Sequence, residues 1–419
     1  MSPSPFKRRL VTAIRWSLLI DGLVSAAAAL LTVFPWPVLT PEMGAETWWV
    51  GFVVSEIALW LVPLPVCFAA AALWLGRGRG RRWLTGVTVA LCAVAVTLFS
   101  KPEVQAWRLG RTLDAKLDAA FGPPPVPPPC PPFSLVAAVV PRNPAPVAIE
   151  TMQYADGLML DFYRAAGTTS AAAGGSPRPC VIVIHGGSWV SGNRLDGGTT
   201  RWLNDWLAGL GYAVASIDYR LSPQFQWPAQ RDDLLAAIRF LRAHAADLGI
   251  DGDRLVLLGR SAGGQMATAA AYAEVIPGVC GIVDIYGPTD FDLMWEAAIR
   301  PRSLDHRYNL ELFLGGSPET ARDAYHSASG ALLVTPRAPP TLILHGELDI
   351  NVVPEQAERL DRKLDDARVP HALVSLPWAG HAFDFVNFNT PGAQIGRYAI
   401  VRFLTSITRW SRATALDTQ

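Results

Sequence analysis

A lone serine stands between glycines at −2 and +2 in Gly259-Arg260-Ser261-Ala262-Gly263. The run Leu255 to Leu258 before it has the length of a buried strand, and the alanine-rich stretch after it reads as a helix. A serine at such a join is held in a strained turn, and both flanking positions are crowded by neighbouring backbone, so they need glycine. This is the setting of a G-x-S-x-G nucleophile elbow. A serine hydroxyl becomes a useful nucleophile when a histidine takes its proton, and that histidine needs an orienting carboxylate. In elbow proteins the carboxylate and then the histidine follow the serine along the chain. Asp349 lies just past the strand-like TLIL, in His345-Gly346-Glu347-Leu348-Asp349, and His381 lies in Gly380-His381-Ala382-Phe383 after the next strand. Of seven histidines, His371 and His381 follow Asp349, and His371 opens a strand. Glu347 and Asp384 are rival carboxylates; Glu347 comes too early in its turn and Asp384 too close to His381. Ser261, Asp349 and His381 are therefore the candidate catalytic set. Upstream, His185-Gly186-Gly187-Ser188-Trp189 ends another strand, and its two glycines let main-chain amides turn into a cavity where they could stabilise an oxyanion, together with the amide of Ala262. His185 is read as structural.

The elements that must hold these groups form an alternating series. Strands are expected at 180–184, 213–217, 255–258, 281–285, 341–344 and 371–375, with helices at 199–210, 229–247, 263–274, 319–326 and 354–367. Continuous apolar strands alternating with helices imply an α/β fold with a mostly parallel central sheet, covered on both faces. Functional residues collect at the carboxyl edge of such a sheet, where these motifs fall.

The first hundred residues have another character. The runs 16–39, 48–75 and 83–99 are each about the length that spans a bilayer. Trp36, Trp48, Trp49, Trp74 and Trp83 mark several of their ends, as interfacial anchors do. Three transmembrane helices are therefore expected in residues 1–100. Lys7, Arg8, Arg9 and Arg15 and the basic loop 76–82 belong on the cytoplasmic side, because the loop around TPEMGAET has no basic residue. That orientation puts the remainder of the chain outside the cytoplasm, held at the cell membrane. Residues 101–146 are expected as a surface helix over 101–121 followed by a proline-rich, semi-rigid linker at 122–132. The catalytic domain is expected over 147–412.

Composition excludes other classes. Lys+Arg and Asp+Glu are both 36, which leaves no net charge to draw the chain to nucleic acid. The five cysteines have no metal-ligand spacing and no disulfide framework, and Cys180 and Cys280 are expected as buried core residues. No metal or cofactor is expected, and oligomeric state is not legible. Residues 287–330 carry Phe291, Leu293, Met294, Trp295, Ile299, Leu312 and Phe313, which either cover an apolar acyl pocket or pack a small core of their own.

Residues 147–410 resemble the α/β-hydrolase fold, in the esterase and lipase branch with an H-G-G-type oxyanion loop. They are similar to hormone-sensitive-lipase-like carboxylesterases and to acetyl-xylan or feruloyl-esterase-like proteins. The likeness rests on HGGSW, IDYRLSPQFQWPAQRDDLLAAIRFLRAH, GRSAGG, HGELD and GHAF. It implies that Gly187, Ser188 and Ala262 supply the oxyanion amides, with Ser188 in place of a third glycine. It also makes 218–223 and 227–233 scaffold segments. The expected activity is cleavage of small or envelope-associated acyl esters through an acyl-enzyme on Ser261. Amide hydrolysis (as in a peptidase or arylformamidase) and acyl transfer are open to the same residues. An inactive, membrane-tethered binding protein is the reading of a different class.

Overall fold

The computed structural model describes residues 56–75, 82–167, 176–195, 199–297 and 306–409. The chain divides into two units, Met1–Gln105 and Ala106–Gln419. In the first, helix α1 (Pro63–Leu75) packs on α2 (Arg82–Phe99). Trp60, Leu64, Val66, Leu73, Trp74, Trp83, Val87 and Val94 are exposed apolar side chains there. Among the described residues, two helical segments, Glu56–Trp74 and Arg82–Phe121, are long and apolar enough to cross a membrane by length and composition. They overlap the expected runs at 48–75 and 83–99, and the expected run at 16–39 lies outside the described residues.

The second unit is built on one eight-stranded sheet in the order β1-β2-β4-β3-β5-β6-β7-β8. After α3 (Lys101–Phe121) and the short α4 (Leu135–Val139) come β1 (Ile149–Ala155) and β2 (Leu158–Tyr163), an antiparallel hairpin. Then follow β3 (Arg178–Ile184), α5 (Thr199–Gly209), β4 (Ala213–Ile217), α6 (Ala229–Ala243), α7 (Ala245–Leu248), β5 (Ile250–Arg260) and α8 (Ala262–Ala273). The series closes with β6 (Val279–Ile285), α9 (Phe291–Glu296), α10 (His306–Leu314), α11 (Arg322–Ala328), α12 (Gly330–Leu333), β7 (Thr341–Gly346), α13 (Glu355–Asp366), β8 (His371–Leu376) and α14 (Pro391–Thr408). Strands β4, β3, β5, β6, β7 and β8 are mutually parallel, and β2 joins β4 antiparallel. This is the mostly parallel sheet of an α/β-hydrolase.

Successive strand residues go to opposite faces, as the pleat requires. Ile182, Ile184, Leu255, Leu257, Ile282 and Ile343 join one core, with Leu234 and Ile238 of α6, Met266 of α8 and Leu360 of α13. Val181, Val183, Val256, Leu258, Val283 and Leu342 join the other, with Leu203 and Leu207 of α5 and Ile400 and Phe403 of α14. Strands buried on both faces read as the unbroken apolar runs seen in the sequence. The segment expected as a surface helix is helical, but Ala106, Leu113 and Leu117 of α3 are buried in this second core. Asp114 of α3 accepts hydrogen bonds from Tyr398 (2.5 Å) and Arg402 (3.1 Å) of α14, and Phe121 meets Phe403 edge-on at 4.8 Å. Cys180 is buried and Cys280 half-buried, both as free thiols.

Candidate active site

The chain leaves β3 for β4 on one side and returns to β5 on the other, so β3 and β5 lie side by side with Ile184 opposite Gly259. In open α/β sheets ligands are received at the carboxyl ends of the strands where the strand order reverses. Here the segment after β3 packs directly against the serine after β5. A Cβ on Gly186 would lie 3.2 Å from both the Arg260 carbonyl and the Ser261 Cβ.

Ser261 has φ +52° and ψ −118°, a strained conformation for a residue with a side chain. Its amide donates to the Ile285 carbonyl of β6 at 2.9 Å. The flanking glycines are dictated by space. A Cβ on Gly259 would lie 2.1 Å from the Gly263 carbonyl, and one on Gly263 would lie 2.2 Å from that of Ile184. The turn is therefore closed by backbone on both sides, which leaves the serine hydroxyl projecting at the start of α8.

Asp349 follows β7, and its side chain is buried. Its Oδ1 accepts from the amides of Asn351 and Val352, each at 2.9 Å, which locks the turn. Its Oδ2 accepts from His381 Nδ1 at 2.7 Å, and His381 Nε2 lies 3.1 Å from Ser261 Oγ. With Nδ1 donating to a carboxylate, Nε2 is the free acceptor for the serine proton. The three residues separated in the sequence thus come within hydrogen-bond reach as a chain. The rival carboxylates are placed elsewhere: Glu347 points to solvent, and Asp384 is held by Arg260 and Tyr286.

The loop after β3 has positive φ at Gly187 (+114°), Ser188 (+52°) and Trp189 (+63°). A Cβ at Gly187 would meet the Ser191 carbonyl at 2.2 Å, while the Gly187 carbonyl accepts the amides of Val190 and Ser191. Ala262 opens α8, where helix-terminal amides lack intrahelical acceptors. The Trp189 indole is buried, donates to Gln265 Oε1 of α8 at 2.9 Å, and stacks on Phe313 at 4.3 Å. Gln265 in turn donates to the Ala328 carbonyl. His185 stacks on Tyr219 at 4.1 Å and donates from Nδ1 to the Gly186 carbonyl, which fits its structural reading. In the scaffold segments, Asp218 is bonded to Arg194, and Arg220 to Asp233.

Three neighbours of the site had no sequence signal of their own. His345 is buried, donates from Nε2 to the Val352 carbonyl at 2.7 Å, and lies 3.4 Å from Asp349 Oδ2. Burial pushes its pKa below the ordinary histidine value. The Tyr286 ring lies 4.6 Å from that of His381. Arg260, the residue before the serine, reaches Asp384. In each case the partner is set by tertiary folding, not by spacing. The apolar residues after β6 divide: Phe291, Met294 and Phe313 are buried in the first core, whereas Leu293, Trp295 and Leu312 are half-buried and Ile299 lies outside the described residues.

Comparison with known proteins finds relatives among esterases. The BD-FAE family profile matches residues 168–364, which takes in Gly187, Ser188, Ser261 and Asp349. The chain is 34% identical over 257 residues to esterase LipC of Mycobacterium tuberculosis, covering 57% of this chain and 60% of that one. It is 30% identical over 235 residues to ethyl acetate hydrolase of Pseudomonas putida, covering 54% of this chain and 71% of the relative. The alignments with LipC and its fellow mycobacterial esterases LipM and LipQ span 50% to 60% of those proteins. A solved structure, a truncated carbohydrate esterase from gut microbiota, shares the fold at a TM-score of 0.54 and 23% identity, over 64% of this chain and 100% of its own. The sequence relationship and the shared sheet together place this chain in the carboxylesterase family of the α/β-hydrolases.

Proposed function

We propose that the chain is a membrane-anchored serine hydrolase that cleaves small carboxylic esters through an acyl-enzyme. The observation that carries this reading is the hydrogen-bonded line Asp349–His381–Ser261, with the serine on a strained turn. His381 Nε2 takes the Ser261 proton as Oγ attacks the ester carbonyl. Asp349 Oδ2 orients the imidazole and stabilises the imidazolium that forms. The amides of Gly187, Ser188 and Ala262 receive the oxyanion. Collapse of the tetrahedral intermediate expels the alcohol, which takes its proton from His381 Nε2. Water then attacks the acyl-serine with His381 again as base, releasing the acid and regenerating Ser261.

Aromatic packing supports a short acyl group. Trp189, next to the oxyanion amides, is wedged against Phe313 and lies 5.5 Å from Phe291, so the apolar side chains there are occupied with one another. Assay of the purified full chain on p-nitrophenyl esters from acetate to laurate is expected to give the highest kcat/KM at acetate to butyrate. Ser261→Ala should lower the rate by roughly 10⁴-fold or more. Equal rates for the alanine variant would remove the serine from the mechanism.

The apolar helices before residue 100 support membrane attachment, with the run at 16–39 as a third span and the catalytic unit outside the cytoplasm. Under this topology the chain stays in the membrane fraction after alkaline carbonate washing, and protease added to spheroplasts degrades the catalytic unit. A chain released by carbonate would remove the anchor from the proposal.

A further inference from the structure

We propose that Arg260, Asp384 and Tyr286 form a clamp that sets the distance between Ser261 and His381, making them positioning residues for the ester cleavage proposed above, on which this inference rests. Arg260 directly precedes Ser261, and Asp384 lies three residues after His381. The Arg260 Nε donates to Asp384 Oδ2 at 2.7 Å, and the two side chains are 7% and 13% exposed. The second carboxylate oxygen, Oδ1, accepts from the Tyr286 hydroxyl at 2.6 Å. Both oxygens of Asp384 are thus used, one for each element that flanks the site.

Tyr286 completes the brace. It has φ +46°, which a bulky residue adopts only where its surroundings enforce it. Its amide donates to the Leu344 carbonyl of β7 at 2.8 Å, while the preceding carbonyl, Ile285, receives the Ser261 amide at 2.9 Å. Its ring packs against His381 at 4.6 Å and against Phe383 at 5.3 Å, nearly perpendicular to the latter. The His381 loop needs such a brace. Ala382 has φ +58°, and the loop meets the serine turn across a sequence separation of more than a hundred residues. One ion pair joins the two segments, at the residue before Ser261 and at the third residue after His381. Losing it frees the imidazole to drift from Oγ, and a displacement of about 1 Å can cost on the order of 10²-fold in rate.

Removing one charge alone strands the other in the interior, so the informative variant removes both. In the purified full chain, Arg260→Met combined with Asp384→Asn is expected to keep the wild-type Tm within a few degrees. It should lower kcat on p-nitrophenyl acetate by about 30- to 100-fold with KM within threefold. The rate of Ser261 labelling by a fluorophosphonate should fall by a similar factor, since that reaction needs the same serine–histidine geometry but no ester. A merely structural pair would move Tm and leave kcat in place. Tyr286→Phe, which removes one hydroxyl, should lower kcat by about three- to tenfold, and it decides the matter if the double variant does not fold. A folded double variant, or failing that a folded Tyr286→Phe, with kcat and labelling rate within twofold of wild type overturns the clamp. Wild-type protein that neither cleaves the ester nor reacts with the fluorophosphonate overturns the underlying assignment of Ser261, and the clamp with it.

Discussion

Asp284 is a carboxylate that the ester chemistry does not use. It lies on β6 opposite Gly259 and is fully buried. Its Oδ1 accepts the Gly287 amide at 3.0 Å, and Oδ2 has no partner among the described residues. Burial pushes its pKa up to about 7. A carboxyl that titrates near 4 in the unfolded chain and near 7 in the native one stays protonated longer in the native state. Its stabilising contribution is complete below pH 4 and is lost as pH rises through 7. Thermal melts of the wild type are expected to lose roughly 2 kcal/mol of stability between pH 5 and pH 7 from this group. The Asp284→Asn variant should show a flatter pH dependence over that range; parallel curves would show that Asp284 titrates normally. At this scale, legibility depended on backbone demands. The candidate Ser261 stands out because two glycines had to stand beside it, and the candidates Asp349 and His381 because strand ends and chain order single them out. Arg260, Tyr286 and His345 carry no such mark, since what each does is fixed by a partner brought near by folding.

The glycines of the serine turn belong to the scale of elements, because each permits two elements to meet. Gly263 lets the first turn of α8 approach the end of β3, where a methyl group would lie 2.2 Å from one carbonyl oxygen and 2.8 Å from the next. These are backbone atoms in the central strands and cannot step aside. Gly263→Ala should therefore destabilise the protein by more than about 3 kcal/mol and abolish soluble, active enzyme, as read by denaturant titration and turnover. A variant with normal stability would mean that α8 can shift on the sheet. The six strands expected from apolar runs all occur, because burial on both faces leaves an unbroken signal. The β1–β2 hairpin was not read, although Asp156-Gly157 marks its turn, because a shift of register between Gln153 and Ala155 breaks the alternation. Helix α14 was also missed. Buried along nearly its whole length, it has no solvent-facing polar stripe, because polar residues such as Gln394 and Arg402 are buried as well, and its local start signal is the Thr390 cap with Pro391 following.

For the whole molecule, the end of the catalytic unit that leads toward the apolar helices is part of its core. Leu113 and Leu117 are completely covered, and burial of each is worth about 1.5–3 kcal/mol. A chain begun at Lys101 should melt like the full-length protein, whereas one begun at Phe133 should lose several degrees of Tm through the uncovered face of α14. Equal melting of the two would show that α3 contributes no stability. The charge balance was legible from composition, and so were the apolar runs. The integration of α3 was not, because its buried stripe of Ala106, Leu113 and Leu117 looks the same whether the helix lies on its own domain or on another surface.

The order of the sheet also has a consequence in time. Ser261 follows β5 in the middle of the sheet, but the groups within reach of it come from beyond β7 and β8, at the far edge and late in the chain. During synthesis the serine turn exists first, and it has neither base nor orienting carboxylate beside it. Under the proposed mechanism the hydroxyl stays as inert as any other until the last strand docks. A growing or incompletely folded chain would then carry its chemistry switched off, and turnover itself would read out that the final strand is in place.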